Sequence, residues 1–213
     1  MKKKDLERVL AKIPPHPKPK LELEQYTTPP HVASRLLWIA TVTYEDLPGE
    51  LVLDLGAGTG RLGLGAALLG STRVVLVDVD REALKLALKS ARGLGVDAKI
   101  DAVCCDVRKL VLSREAVCVL QNPPFGVHRR GADVEFLRSA LRLSRVVYSI
   151  HKISAVDYVS QICEEWGAKT LMLFEETIRL PPTMPHHERR EHKVKIAVLR
   201  AARTGGHYRA AGF

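Results

Sequence analysis

The chain has 213 residues, 46% of them hydrophobic, which is enough for one full core and short for two. No apolar run approaches the roughly 18 to 20 residues of a membrane span, and Met1-Lys2-Lys3-Lys4 leads into a mixed charged helix instead of an apolar signal core, so a soluble, cytoplasmic protein without a membrane partner is expected. Lysine and arginine number 33 against 24 acidic residues, a net charge of +9 that suits a polyanion such as nucleic acid; Cys104, Cys105, Cys118 and Cys163 lack the paired spacing of a zinc site, so no metal is expected.

Residues 3–12 have helical spacing through Leu6, Val9, Leu10 and Ile13, and Pro14, Pro15, Pro17 and Pro19 then impose an extended linker. Residues 1–20 thus read as an N-terminal arm, 21–203 as the domain, and 204–213, rich in Gly and Ala, as a C-terminal tail. After Thr28-Pro29-Pro30 the spacing predicts a helix over 32–42 with proline at its entrance. Strands are then expected near 51–55, 73–78, 98–103, 116–121, 145–150, 169–175 and 193–200, and helices near 60–69, 81–92, 133–143 and 154–166. Continuous apolar runs such as Val74-Val75-Leu76-Val77 fit a parallel sheet covered on both faces, while the last two segments have no helical pattern between them and should pair antiparallel. The fold class is α/β: a Rossmann-like, doubly wound, seven-stranded sheet, mostly parallel, with an antiparallel last strand and helices on both faces.

Gly56, Gly58 and Gly60 follow the first of these strands and let the backbone turn tightly against a ligand at a helix N-terminus. A dinucleotide fingerprint would want its third glycine at position 61, where Arg61 stands. That departure weakens NAD and favours S-adenosylmethionine, which has no pyrophosphate to cradle, with S-adenosylhomocysteine as its product. Asp54 is a candidate for the cofactor's ammonium, with loop capping as the alternative. Asp78, ending the second strand, is placed for the ribose hydroxyls, and Asp80 is the fallback or a helix N-cap. Asp106, with Val107 beside it, follows the third strand and could meet the adenine ring, or could be a turn residue.

Asn122-Pro123-Pro124-Phe125 follows the fourth strand. An exocyclic amine on an aromatic ring is a poor nucleophile because its lone pair is delocalised. The Asn122 side-chain oxygen and the Pro123 carbonyl could accept both N–H groups and draw the nitrogen toward tetrahedral geometry. The two prolines stiffen the loop, and Phe125 could stack on a planar substrate. Seen alone the motif is an ordinary turn. After a complete cofactor half it points to amino methyl transfer.

On these motifs the chain resembles the class I S-adenosylmethionine-dependent methyltransferases of the amino-methylating group. More narrowly it is similar to the archaeal and eukaryotic adenine-N6 RNA methyltransferases of the methyltransferase-like protein 5 family. The similarity runs from Glu24-Gln25-Tyr26-Thr27-Thr28-Pro29 through both loops to Gly131-Ala132-Asp133 and on to Leu199. It implies Gln25, Tyr26 and Thr28 as cofactor-binding residues in a segment folded over the cofactor, and an adenosine of small-subunit ribosomal RNA as substrate. It also implies a small zinc-containing activator subunit as partner, with the stretch near 98–104 as its docking strand. Arg129, Arg130, Arg189, Arg190 and Lys193 are the expected RNA contacts, each also readable as solvated surface charge. Protein glutamine-N5 or DNA amino methylation, and a catalytically inactive nucleic-acid-binding module, are the alternatives.

Overall fold

The computed structural model describes residues 1–126, 129, 131–180 and 192–204. One sheet runs in the order β3-β2-β1-β4-β5-β7-β6, formed by β1 (Leu51–Leu55), β2 (Arg73–Asp78), β3 (Ile100–Cys104), β4 (Ala116–Gln121), β5 (Ser144–Lys152), β6 (Ala168–Leu180) and β7 (His192–Arg203). The first five strands pair parallel, and β7 lies antiparallel between β5 and β6. The helices are α1 (Lys3–Leu10), α2 (Pro30–Trp38, extended by a π turn over Ile39–Thr43), α3 (Arg61–Leu68), α4 (Arg81–Gly93), α5 (Ala132–Leu143) and α6 (Val156–Glu165).

Alternation along the strands builds two cores. Val52, Leu76, Leu120 and Tyr148 point to one face, where Leu6, Leu36, Leu64 and Leu84 from α1 to α4 cover them. Leu53, Val77, Val119 and Val147 point to the other, under Leu137, Leu141 and Ile162 of α5 and α6. Residues 1–20 contribute to the first core: Leu6, Leu10 and Ile13 are almost wholly buried there. Burying such side chains stabilises by about 1.5–3 kcal/mol each, which holds this segment against α2 and α3.

Strands β6 and β7 exceed the expected spans because they pair with each other from Ala168↔Arg203 to Leu180↔His192, through an irregularity at Met172 and Phe174. Strand β3 begins later than expected, since Asp97–Lys99 form a 3-10 turn before it. The chain order reverses at β1, whose two neighbours are β2 and β4. The carboxyl ends of β1 and β4 therefore open a crevice at the switch point of the sheet, and both sequence motifs leave from those two ends.

Candidate active site

The crevice holds a cavity of about 760 Å³, walled by Asp54, Gly56, Gly58, Thr59, Asp78, Asp106, Val107, Asn122 and Pro124, and lined on its outer side by residues of the 15–30 segment. Gly56, Gly58 and Gly60 all have φ between +54° and +83°. At Gly56 a side chain would also collide, since a Cβ there would sit 2.9 Å from the Phe136 ring. Gly60 is not on the cavity wall; a Cβ there would meet Ala87 and Leu64, so its lack of a side chain serves helix packing.

Asp54 is buried, and its Oδ2 accepts the Gly63 N–H at 2.7 Å in the first turn of α3. Burial, with the Asp78 carboxylate nearby, pushes its pKa up to about 7 against the pull of that hydrogen bond. Asp78 is raised mainly by burial, although its oxygens accept the N–H groups of Gly58 at 2.7 Å and Asp80 at 2.8 Å. Two desolvated carboxylates and a buried, unpartnered Thr59 hydroxyl face a glycine turn. That acceptor set fits a cationic, hydroxyl-rich ligand such as S-adenosylmethionine. Asp106 caps the turn Val107–Lys109 and is held down to about 2, first by its pairing with Arg108, whose Nε lies 2.9 Å from both carboxylate oxygens. Its carboxylate is thus partly engaged before any ligand arrives.

Asn122 lies at the end of β4 with both ends of its amide held. Its Oδ1 accepts the Tyr26 hydroxyl at 2.7 Å, and its Nδ2 donates to Thr28 Oγ1 at 2.9 Å. Pro123, the next residue of the loop, is buried. The Phe125 ring rests 5.4 Å from that of Tyr26 at 39°, with the Lys152 ammonium 5.6 Å from its centre. Gln25 also lines the cavity, and its amide is committed to protein, donating to Asp80 Oδ2 at 2.9 Å and accepting the Lys20 N–H at 2.8 Å. Of the basic residues, Arg129 is exposed and pairs with Glu135, and Lys193 is exposed opposite Arg179, which reaches the cavity wall. Arg130, Arg189 and Arg190 lie outside the described residues.

Arg61 is a site residue that sequence reasoning did not find. It is buried, and its guanidinium donates to the carbonyls of Leu10 at 3.1 Å, Thr28 at 2.6 Å and Ile13 at 2.5 Å, so one side chain pins two parts of the covering segment. The signal was available: a cation at the first position of a helix opposes the macrodipole and needs a compensating reason. Beneath the reactive loop, Gln121 Nε2 donates to Ser149 Oγ at 3.0 Å, and Ser149 Oγ lies 2.6 Å from His151 Nε2. No group of three or more His, Cys, Asp and Glu able to hold a metal occurs among the described residues. No described helix is long and apolar enough to cross a membrane.

Residues 31–148 match the family described as Methyltransferase small domain. The chain belongs to that family. As a member of the methyltransferase small domain family it is an S-adenosylmethionine-dependent methyltransferase. It is 34% identical over 204 residues to the zebrafish rRNA N(6)-adenosine-methyltransferase METTL5, covering 94% of this chain and 98% of that one. Against the Drosophila melanogaster protein of the same description the identity is 35%, over 92% and 94% of the two chains. A candidate RNA methyltransferase from Pyrococcus horikoshii superposes with a TM-score of 0.87 at 34% identity, covering 95% of this chain and 98% of that structure.

Proposed function

We propose that this methyltransferase acts on the N6 amino group of an adenosine in RNA, in small-subunit ribosomal RNA. The observation that carries the reading is the placement of the Asn122 amide on the wall of the cavity that also holds Asp54, Asp78 and the glycine turn. The near full-length similarity to rRNA adenosine methyltransferases supports adenosine over the other planar amines.

In this reading Asp54 meets the cofactor's ammonium, Asp78 its ribose hydroxyls, and Asp106 and Val107 its adenine, while Gly56 and Gly58 allow close approach of the backbone. Bound there, the cofactor supplies an electrophilic sulfonium methyl group. Asn122 Oδ1 and the Pro123 carbonyl accept the two N–H groups of the target amine and aim its lone pair into the cavity. Phe125 stacks on the extruded base. An amide cannot take up a proton at neutral pH, so the proton lost by the amine leaves to solvent, and alignment supplies much of the acceleration. Residues 21–203 form the catalytic domain, 1–20 brace it, and Arg129, Arg130, Arg189, Arg190 and Lys193 grip the RNA backbone in the cytoplasm.

The sheet edge at β3 would take a strand from a small zinc-containing activator subunit. Hydrogen-exchange protection appearing at Ile100–Cys104 on adding that subunit is the expected sign, and unchanged exchange would remove it. For the reaction, labelled S-adenosylmethionine is offered with ribosomal RNA, DNA or a release factor to the wild type and to Asn122→Ala. RNA is expected to be labelled, with the variant slower by about a hundredfold or more. Label in protein or DNA alone would overturn the substrate, and undiminished transfer by the variant would overturn the role of Asn122.

A further inference from the structure

We propose that Tyr26 is a positioning residue that selects the working orientation of the Asn122 amide. The proposal rests on the methyl-transfer reading above. A primary amide can be turned half a revolution about its terminal bond. One way its oxygen faces the substrate amine; the other way an NH2 group does, and that group cannot accept a hydrogen bond.

The choice is made by residues distant in sequence. Tyr26 donates to Asn122 Oδ1 at 2.7 Å, and Thr28 Oγ1 accepts from Nδ2 at 2.9 Å. Of the two hydroxyls the phenol is the more acidic and the better donor, so this pair favours the orientation observed. Tyr26 occupies one lone pair of Oδ1 and leaves the second for a substrate N–H. Burial raises the Tyr26 pKa, against the Asn122 hydrogen bond, so the donated proton stays on the phenol oxygen.

Tyr26 is itself fixed from three directions. Its ring packs on Phe125, the Gln25 amide before it is tied to Asp80, and the Thr28 carbonyl after it is tied to Arg61. Glu24, at φ +50°, bends the chain immediately before this stretch. The segment that lines the cofactor cavity therefore also sets the reactive amide.

Tyr26→Phe removes only the hydroxyl and keeps the ring. We expect kcat to fall about tenfold while the cofactor Kd, measured by titration calorimetry, stays within about twofold, with no further loss when the change is added to Asn122→Ala. In 15N spectra the Asn122 side-chain amide should be ordered in the wild type and averaged or shifted in Tyr26→Phe. A weaker cofactor Kd with kcat unchanged would assign Tyr26 to the cofactor instead and overturn the proposal, as would no change in either. Should Tyr26→Phe fold poorly, Thr28→Val is expected to show the same split, and its absence counts equally against. If the wild type binds cofactor but methylates no RNA, the function reading fails. The amide spectrum still decides on Tyr26, because unchanged Asn122 resonances would sink its role.

Discussion

Gln25 donates its side-chain amide to Asp80 across 2.9 Å, although 55 positions separate them. Asp80 also faces the Lys20 ammonium at 3.2 Å and His16 Nε2 at 3.6 Å, and it caps α4 by accepting the Glu82 N–H at 3.1 Å. Burial alone would raise its pKa, yet the hydrogen bonds from Gln25 and Lys20 bring it below the usual carboxylate range. Asp80 is thus the latch of the covering segment. Asp80→Asn should loosen residues 16–25 and weaken cofactor binding by about tenfold, because a charge-assisted contact to Lys20 is lost. Titration calorimetry reads the affinity, and an unchanged Kd would deny Asp80 this role.

In its proposed place beside the cofactor's ammonium, Asp54 should make cofactor binding depend on pH. With its pKa near 7 in the free protein, an arriving ammonium favours the ionised form, so affinity should rise as pH climbs through about 7 and level off above it. Protons should be released on binding, so the heat should vary with the ionisation enthalpy of the buffer. Asp54→Asn should lose both effects. The sign for the free protein is the reverse: a carboxyl raised from 3.8 to about 7 costs stability as pH increases across that interval.

Gly56→Ala places a methyl against Phe136 at 2.9 Å in a backbone with φ +67°. The left-handed conformation costs a non-glycine residue about 1–2 kcal/mol, and the collision adds to it. The melting temperature should drop by several degrees and the cofactor affinity with it. Pairing the change with Phe136→Ala should recover part of the affinity by removing the collision. No recovery would mean that the backbone strain, and not Phe136, is what the glycine relieves.

The sequence carried the strand and helix order because period-two and period-3.6 patterns are local properties. It carried the two loops because glycine permits the positive φ a tight turn needs and proline restricts φ, both local properties. It did not carry the place of β7 between β5 and β6, which depends on partners distant along the chain. The sequence assigned Gln25, Tyr26 and Thr28 to the cofactor by family likeness; the structure places all three on the cavity wall and adds their bonds to Asp80, Asn122 and Arg61. Side-chain direction in an irregular segment has no periodicity from which to be inferred. Arg61 was visible as a departure from a nucleotide fingerprint, while its three carbonyl partners come from positions 10, 13 and 28.

His151 should govern part of the acid sensitivity. Burial lowers its pKa to about 4, whereas in the unfolded chain it takes a proton near 6.5. The unfolded state therefore binds the extra proton across this interval, and stability is lost as pH falls through it, by up to about 3 kcal/mol. His151→Gln removes the titration, so urea melts at pH 7, 5.5 and 4.5 should show the variant gaining on the wild type as pH drops. Asp54 titrates in both proteins and cancels in the difference. A constant gap would mean that His151 protonates freely in the folded state.

The insertion of β7 between β5 and β6 also sets an order of events during synthesis. Until residues 192–203 have left the ribosome, β5 has an open edge and the strand that carries Ser149 and His151 is paired on one side only. Strands β1 to β4, which carry the glycine turn, Asp54, Asp78 and Asp106, can collapse first, while the floor under the reactive loop waits for β7. The glycine turn and its carboxylates should thus be made before the strand that supports the reactive loop is fully paired.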